Sequence, residues 1–305
     1  MINANEITIC SAVMNRTEHL LQTLPTWLAL PQVGQIIITD WSSDQPIADL
    51  LPDAAWAKTK VLRIDGEIRW SLARAFNVAI DHASTTYVAK MDADFVTTDS
   101  LFAGCDDAGS RFYNGNDESS RGSTGSFLVL REFLKKAGLY NELTAGWGAE
   151  DKDLYRRLEA VGLRNEKFRA GSYSSIPHDG PARVANVKKP IRSNDPVIDH
   201  IMALTFSSLR FSEKFNEQIC REFDVRTHRF RTSYLITDQT GPVVKLRRNH
   251  GVEENLLPFV YRQVARKAAI AYLRESHDGN EDDLELIGLL EGCIRAMNLR
   301  KTAQE

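Results

Sequence analysis

The sequence has no long apolar run, few cysteines and almost no net charge. A membrane-spanning helix needs about 20 consecutive apolar residues, and no run in the 305 residues approaches that length. The four cysteines are far apart and form no Cys-x-x-Cys pair, so neither a zinc knuckle nor a redox pair is predicted. The 38 basic and 41 acidic residues nearly balance, which argues against a nucleic-acid-binding protein, whose surface would be basic.

The N-terminus also lacks the pattern of a secretory signal, because no basic segment followed by a long apolar one opens the chain. Together with the widely spaced cysteines, this absence predicts a soluble, reduced, cytoplasmic protein. With 43% hydrophobic and 26% charged residues, the composition is that of a globular chain and excludes a disordered or fibrous one. A length of 305 residues predicts one large domain or two unequal ones.

The first hundred residues alternate between strand-like and helix-like segments. Nearly continuous apolar runs predict strands, and apolar residues three or four apart predict helices. In chain order these segments are the strand Glu6–Val13, the helix Glu18–Leu30, the strands Gln35–Thr39 and Lys60–Ile64, the helix Ser71–His82 and the strand Tyr87–Met91. This order predicts an α/β fold with a mixed, mostly parallel sheet flanked by helices. Such sheets bind ligands beyond the carboxyl ends of their strands.

We expect the chain to divide into residues 1–187 and a smaller, mostly helical C-terminal region, residues 188–305, of unknown role. Within the first part, Gly104–Gly125 is rich in glycine, serine and asparagine, which predicts a loop or lid. A helix is predicted from about Ala149 to Val161. In the second part, Arg229–Lys245 is predicted to form two strands that turn at a Gly-Pro pair.

Two carboxylates, Asp92 and Asp94, follow the strand Tyr87–Met91. Carboxylates at this spacing beyond a strand end can reach one hard cation together with a bound diphosphate. His178, in a polar turn, is a candidate third ligand, and an imidazole among oxygen ligands favours Mn²⁺ over Mg²⁺. Solvent-exposed acidic turns and structural loop histidines have the same appearance, so these residues alone do not identify a metal site.

The segment Gly146–Asp153 (GWGAEDKD) is more informative. The helix dipole favours acids in the first turn by about 0.3–1 kcal/mol each, which explains the carboxylates without any function. It does not explain a tryptophan between two glycines. Such an indole offers a flat apolar surface on which a sugar ring can stack, and a neighbouring carboxylate can take a proton from a sugar hydroxyl.

Taken in chain order, these residues resemble nucleotide-sugar glycosyltransferases of the GT-A fold. The resemblance is carried by Asn15 and Arg16 after the first strand, Asp40-Trp41-Ser42 after the second, the Asp-Ala-Asp triplet, the GWGAED block and a histidine about thirty residues later. The pattern looks most like that of inverting galactosyl- and N-acetylgalactosaminyltransferases. These include the β-1,4-galactosyltransferases and the family-2 domains of bacterial capsule and chondroitin-type polymerases. The resemblance covers roughly residues 6–185.

The resemblance implies a site for a UDP-sugar and a divalent cation, Mn²⁺ or Mg²⁺. It places Asp92, Asp94 and His178 on the metal. Galactosyltransferases carry a methionine three residues before this histidine, and that position is Ser175 here. The residues that the resemblance assigns to the nucleotide, its ribose or the donor sugar are Asn15, Arg16, Asp40, Arg74, Asn77, Asp92 and Ala93.

The resemblance also implies transfer of a sugar to a carbohydrate hydroxyl with inversion. Trp147 and Gly148 would contact the substrates. Asp151 would be the general base, and Glu150, which would hydrogen-bond the acceptor hydroxyls, is the next candidate for that role. The implied donor carries a sugar of the galactose, N-acetylgalactosamine or glucose type. The implied setting is the synthesis of surface polysaccharide or other glycans.

Three alternatives remain open at this point. A sugar-phosphate nucleotidyltransferase shares the sheet and the carboxylates, but its glycine-rich phosphate loop is absent from Ser11–Arg16. A non-catalytic carbohydrate- or nucleotide-binding protein could keep the fold, although it would not need Asp94, Glu150, Asp151 and His178 together. The chain could also be one module of a larger synthase, whose C-terminal helices dock on a partner or associate peripherally with a membrane surface.

Overall fold

The computed structural model describes most of the first 177 residues and much of the C-terminal region. The described residues are 2–67, 69–105, 109–115, 125–177, 199, 203, 205, 208–228, 230–249, 253–275, 288, 290–292, 294 and 295. Within them, the fold consists of a nine-stranded sheet, helices that pack on its two faces, and a second sheet of two short strands.

Four parallel strands form the centre of the main sheet. They are β1 (Ile7–Val13), β2 (Val33–Trp41), β3 (Thr59–Asp65) and β4 (Tyr87–Lys90), in the spatial order β3-β2-β1-β4. Helix α1 (Thr17–Leu28) joins β1 to β2, and α2 (Leu72–Asp81) joins β3 to β4. Every residue of β1 is buried, as expected for a parallel strand covered on both faces. The α/β fold with a mostly parallel central sheet is therefore confirmed.

The sheet becomes mixed beyond β4. The strands that follow in the chain are β5 (Phe95–Thr97), β6 (Arg111–Asn114), β7 (Phe127–Leu130), β8 (Arg164–Lys167) and β9 (Tyr173–Ser175). Strand β7 runs antiparallel to β4 and to β6, and β8 runs parallel to β6. Strands β5 and β9 pair with each other in the second sheet. This pairing matters for the site because it brings two distant turns together beyond β4.

Strand β6 corrects the prediction of a loop over Gly104–Gly125. Phe112 and Tyr113 are buried in the strand, and Tyr113 lies opposite Leu128 of β7. The many glycine and polar residues around this four-residue strand gave it the local pattern of a loop. Its pairing with distant strands supplies the hydrogen bonds and apolar contacts that its own sequence does not indicate.

The remaining elements are α3 (Arg131–Lys136), α4 (Glu150–Ala160), α5 (Leu209–Glu222), β10 (Tyr234–Thr240), β11 (Val243–Arg248) and α6 (Glu253–Glu275). Strands β10 and β11 form a hairpin that turns at Gly241 and Pro242, as predicted, and β11 pairs in parallel with β3. The full order of the sheet is β10-β11-β3-β2-β1-β4-β7-β6-β8. The division at residues 187 and 188 stays a prediction, but the C-terminal region adds two strands to the main sheet.

Three apolar cores hold these layers together. On one face of the sheet, Phe76 of α2 and Leu154 of α4 are buried in a common core. On the other face, Trp27 of α1 is buried. The third core lies between α5 and α6, where Phe215 and Val264 are fully buried. Burial of one such side chain contributes about 1.5–3 kcal/mol. None of the helices in the described part of the chain is both long enough and apolar enough to cross a membrane.

The hairpin of the C-terminal region should share the stability of the main sheet. Leu246 of β11 is buried in the same core as Phe76, so Leu246→Ala should lower the free energy of unfolding of the whole protein by about 2–5 kcal/mol. Urea denaturation followed by circular dichroism measures this change. Leu235 of β10 is 51% exposed, and the control Leu235→Ala should cost about 0.5 kcal/mol or less.

A different result would support two independent folding units. In that case Leu246→Ala would leave the main unfolding transition in place and shift only a separate, smaller one.

Candidate active site

A cleft of about 380 Å³ lies beyond the carboxyl ends of β1 and β4. One wall is formed by Arg16 and by Asp92–Asp94, which follow these two strands. Residues from the ends of β6 and β8 form a second wall, and Trp147 with the first turn of α4 forms a third. Open α/β sheets bind their ligands at this edge, so this cleft is the candidate active site.

Asp151 lies in the first turn of α4 and faces the cleft. The Tyr140 hydroxyl donates a hydrogen bond to Asp151 Oδ1 at 2.6 Å, and the Lys90 ammonium lies 3.6 Å from the same oxygen. Burial raises the pKa of the Asp151 carboxyl, the nearby charge of Asp92 raises it further, and Lys90 and Tyr140 offset part of the shift. The carboxylate is therefore fixed at one oxygen and is more basic than an exposed aspartate.

Lys90 connects the end of β4 to the start of α4. Its side chain is fully buried, with the ammonium 2.8 Å from Asp92 Oδ1 and 4.7 Å from the centre of the Phe76 ring. Burial alone would lower the pKa of this ammonium, but the carboxylates of Asp151 and Asp92 outweigh burial and raise the pKa above its ordinary value. Lys90 is therefore a fixed positive charge between the two carboxylates.

Gly125 lies where these three charged groups meet. A Cβ atom at this position would be 2.6 Å from Lys90 Nζ and 2.8 Å from both Asp92 Oδ2 and Asp151 Oδ2. Any side chain here would displace at least one of them, because real Cβ atoms do not approach other heavy atoms so closely. The absence of a side chain at Gly125 allows the two carboxylates to approach the same point in the cleft.

Glu150 precedes Asp151 and is more deeply buried, with 6% of its surface exposed. Burial and the negative charge of Asp151 raise the pKa of the Glu150 carboxyl to about 8, although hydrogen bonds from backbone N–H groups of residues 148 and 150 oppose the shift. A carboxyl group with this pKa is mostly protonated at neutral pH. Glu150 can therefore donate a hydrogen bond to a substrate oxygen, which an ionised carboxylate cannot do.

Trp147 lines the cleft, and 37% of its surface is exposed. It lies between Gly146 and Gly148, which have φ values of 75° and 102°. Ala149 also has a left-handed backbone, with a φ of 70°, directly before α4 begins. With this backbone conformation, the indole and the carboxylates in the first turn of α4 line the same cleft.

Asp92 and Asp94 are the described residues that fit a divalent cation. Both line the cleft, and carboxylate oxygens are ligands that Mg²⁺ and Mn²⁺ accept. The Ser175 hydroxyl at the end of β9 donates to Asp94 Oδ2 at 3.4 Å. His178 follows three residues later and lies outside the described residues. In the described part of the chain no three Asp, Glu, His or Cys side chains form a metal site, so the two carboxylates need further ligands.

Of the residues predicted to bind the nucleotide, Arg16, Asp92 and Ala93 line the cleft. Asn15 precedes Arg16 and connects the turns that follow β1 and β2. Its side-chain oxygen accepts the N–H of Asp44 at 2.7 Å, and its own N–H donates to the Ser43 hydroxyl at 3.1 Å. Asn15 has a φ of 55°, a backbone conformation that asparagine tolerates better than most residues. It shapes the turn from which Arg16 reaches the cleft.

The structure places Asp40, Arg74 and Asn77 away from the lining of the cleft. Asp40 is fully buried and accepts bonds from the N–H groups of residues 43 and 47 and from the Arg63 guanidinium. Arg74 is also buried, and its pKa is raised because Glu67 and neighbouring polar groups outweigh the effect of burial. The nucleotide contacts of these residues stay predictions, and the contacts seen here are structural.

Asn77 has a role that the sequence did not indicate. Its amide donates to the Tyr140 carbonyl at 3.0 Å and to Glu142 Oε1 at 2.8 Å, and its side-chain oxygen accepts the Tyr140 N–H at 2.9 Å. Both backbone groups of Tyr140 are thereby fixed, and the Tyr140 hydroxyl holds Asp151. Asn77 therefore supports the predicted base from behind the cleft wall.

Sequence reasoning missed Lys90, Tyr140 and Gly125. For Lys90 a signal was present, because lysine is almost never fully buried without a partner and this one interrupts an apolar strand just before two aspartates. For Tyr140 and Gly125 the sequence offers no comparable signal. Their importance comes from contacts with residues far away in the chain.

The free energy of unfolding of a Glu150→Gln variant, relative to that of the unmodified protein, should rise with pH. The native Glu150 carboxyl keeps its proton up to about pH 8, whereas the unfolded chain loses it near an ordinary pKa of about 4.3. Folding must return this proton, so the contribution of Glu150 to stability falls as the pH rises through this window. Glutamine does not ionise, so the free energy of unfolding of the variant does not contain this pH-dependent decrease.

Urea unfolding at several values between about pH 5 and pH 8 measures this difference. The variant Glu159→Gln removes an exposed carboxylate from the same helix and serves as the control. A Glu150→Gln difference that stays constant over the whole range would contradict the burial of a protonated carboxyl at this position.

Residues 108–179 match the family model of the N-terminal domain of galactosyltransferase. The matched segment contains β6 to β9, the GWGAED block and His178, and it is less than half of the chain. A search of curated proteins with the sequence found no match.

The structure is similar to those of solved glycosyltransferases. The catalytic domain of Drosophila β1,4-galactosyltransferase 7, in complex with xylobiose, gives a TM-score of 0.52 at 19% identity, over 83% of this chain and 98% of that one. TarS 1–349 of S. aureus, in complex with UDP-GlcNAc, gives 0.49 at 13% identity over 74% and 73%. Mannosyltransferase PcManGT of Pyrobaculum calidifontis, with GDP-Man and Mn²⁺, gives 0.47 at 14% identity over 96% and 80%. The first of these similarities shows that the chain has the GT-A fold, the fold that its motifs predict.

Proposed function

We propose that this protein is a metal-dependent, inverting glycosyltransferase that moves a hexose from a UDP-sugar to a hydroxyl group of a carbohydrate. The observation that carries the proposal is the position of Asp151. Its carboxylate faces a cleft at the ligand-binding edge of the sheet, together with Asp92, Asp94 and an exposed tryptophan. The match of residues 108–179 to a galactosyltransferase family model supports it.

Asp151 is suited to act as the general base. Its Oδ1 is held by the Tyr140 hydroxyl and faces Lys90, which leaves Oδ2 to take a proton from the acceptor. In the proposed reaction the acceptor oxygen loses its proton to Asp151 and forms a bond to the anomeric carbon. The bond from that carbon to the diphosphate breaks on the opposite side, and UDP leaves with the electron pair. A single displacement of this kind inverts the anomeric centre.

The diphosphate would lie near Asp92 and Asp94, beyond the end of β4. These two carboxylates and His178 would hold Mn²⁺ or Mg²⁺, whose charge stabilises the leaving diphosphate. Arg16 and Ala93 line the same side of the cleft, which supports binding of the nucleotide there. The guanidinium of Arg16 would add a positive charge to this side of the cleft, which favours a nucleotide.

The acceptor sugar would lie against Trp147, on the side of the cleft formed by the start of α4. The indole offers an apolar face to the sugar ring, and Gly148 lines the same part of the cleft. Glu150, protonated at neutral pH, would donate a hydrogen bond to an acceptor hydroxyl. The Drosophila catalytic domain with a similar fold was solved in complex with xylobiose, which supports a carbohydrate acceptor.

The donor sugar is proposed to be of the galactose, N-acetylgalactosamine or glucose type, and the product to be a surface polysaccharide or another glycan. Peripheral association of the C-terminal region with a membrane surface stays a prediction. A panel of three UDP-sugars and a set of p-nitrophenyl glycosides, assayed for transfer, tests this proposal as a whole.

Asp151→Asn should lose transfer activity and keep binding of UDP. Asparagine has nearly the same shape and can still accept the hydrogen bond of Tyr140, but it cannot take a proton from the acceptor. General-base catalysis contributes about 10²–10⁴-fold to rate, so a loss of kcat of this size is expected in the transfer assay. Calorimetric titration with UDP in the presence of Mn²⁺ should give a similar affinity for both proteins.

Glu159→Gln, on the exposed side of the same helix, is the matched control and should keep full activity. Transfer by Asp151→Asn at nearly the normal rate would contradict the assignment of the base and leave Glu150 as the next candidate. Binding of UDP without transfer to any acceptor in the panel would favour a non-catalytic binding protein.

Removal of divalent cations by EDTA should abolish transfer, and Mn²⁺ should restore it. Asp94→Asn should raise the Mn²⁺ concentration needed for half-maximal rate at least about tenfold. Loss of even a residue that only hydrogen-bonds a metal ligand weakens metal binding by about this factor. Asp99 is an exposed aspartate shortly after β5, and Asp99→Asn is the control. Full activity after chelation would remove Asp92, Asp94 and His178 from their proposed role.

A further inference from the structure

The loop that carries Trp147 is held by α5, a helix of the C-terminal region. We call residues Ala145–Gly148 the Trp147 loop. Asn216 of α5 accepts the Ala145 N–H at 2.8 Å and donates to the Gly148 carbonyl at 2.8 Å. Ser212 accepts the Trp147 N–H at 2.7 Å and donates to the Ala145 carbonyl at 3.1 Å. Two side chains therefore satisfy four backbone groups of a four-residue loop.

These hydrogen bonds are shielded from water. Ser212 and Asn216 are both fully buried, and they are four residues apart, so they lie on the same face of α5. A backbone group in such a place has no water to replace a lost partner, and loss of a partner costs the full desolvation of the group. The loop conformation thus depends on both side chains.

The two glycines of the loop fit closely against α5. A Cβ atom at Gly146 would overlap the Ser212 hydroxyl and the Thr205 carbonyl, and one at Gly148 would lie 3.0 Å from the Cβ of Glu213. The Gly-Trp-Gly pattern therefore reflects close contact with a helix more than sixty residues away, in addition to the positive φ values. Glu213 itself lines the cleft and pairs with Lys152 at 2.6 Å.

Helix α5 is in turn fixed by α6. Phe211, Phe215 and Ile219 of α5 are buried in one apolar core with Val264 and Ala268 of α6. The same core includes Leu143 and Ala145, at the start of the Trp147 loop. The C-terminal region thus packs behind the wall of the cleft that carries Trp147 and stabilises it.

We propose that Ser212 and Asn216 are positioning residues for the acceptor, and that this is a role of the C-terminal region in the reaction. Through the loop backbone they fix the position of the Trp147 indole, on which the acceptor sugar would stack beside Asp151. The inference rests on the proposed glycosyltransferase function. It predicts that loss of either side chain impairs binding of the acceptor more than binding of the donor, whose proposed contacts lie on the opposite wall.

Hydrogen exchange tests the support of the loop without any substrate. In Asn216→Ala and in the milder variant Ser212→Ala, the amides of residues 145–148 should exchange at least about tenfold faster, because each variant removes a buried partner of one of these amides. The amides of β1 should exchange as before. Leu246→Ala, which creates a cavity in a different core and keeps the four hydrogen bonds, is the control for a general loss of stability.

Steady-state kinetics then tests the role in acceptor binding. With UDP-galactose and the p-nitrophenyl glycosides, both variants should raise the KM for the acceptor by about tenfold, the effect of losing one buried hydrogen bond, and leave the KM for the donor within about twofold. Leu246→Ala should lower the melting temperature and leave both KM values unchanged.

Two outcomes would overturn the inference. Unchanged exchange in the Trp147 loop would show that α5 does not hold it. Faster exchange with an unchanged acceptor KM, while the unmodified protein transfers sugar, would show that the support is structural only and would leave the proposed function in place. Absence of transfer by the unmodified protein with every donor and acceptor would instead overturn the proposed function and with it the acceptor role.

Discussion

The ammonium of Lys90 is buried between carboxylates from two distant parts of the chain, Asp92 and Asp151. A buried charge without a partner costs several kcal/mol, so the turn after β4 and the first turn of α4 must both bring a carboxylate to this point. The ion pairs of Lys90 with Asp92 at 2.8 Å and with Asp151 at 3.6 Å thereby hold in place the two carboxylates that the proposed reaction needs. The same constraint explains Gly125, because any side chain there would force the three charges apart.

The contacts that support Asp151, the proposed base, extend well beyond the cleft. Tyr140 holds Asp151, and Asn77 of α2 holds both backbone groups of Tyr140. Asn77 also donates to Glu142, whose other carboxylate oxygen accepts the Thr232 N–H at 2.6 Å. Thr232 lies two residues before the hairpin that joins the sheet beside β3. The C-terminal region therefore supports the cleft at two places. It supports Asp151 through this hydrogen-bond network and the Trp147 loop through α5.

The sequence predicted the α/β fold with its mostly parallel sheet and several residues that line the candidate site. Asp94 and Asp151 could be found because local patterns place them at the end of a strand and at the start of a helix, and the topology of the sheet then brings both to one edge. Asp40 could not be located in this way, because its buried contacts with Arg63 are visible only in three dimensions. Ser212 could not be found either, since it lies on a distant helix that no local pattern connects to Trp147.

Glu150 and Asp151 are neighbouring acids in different environments, which agrees with the different roles proposed for them. Glu150 is deeply buried and its pKa is raised to about 8, whereas at Asp151 burial raises the pKa and Lys90 and Tyr140 offset part of the rise. Environments that separate the pKa values of two nearby carboxyls mark an acid and a base. The negative charge of Asp151 contributes to the raised pKa of Glu150, so the two groups are coupled. In the proposed reaction Asp151 accepts a proton from the substrate and loses its negative charge. The pKa of Glu150 then falls, so that Glu150 holds its own proton less tightly.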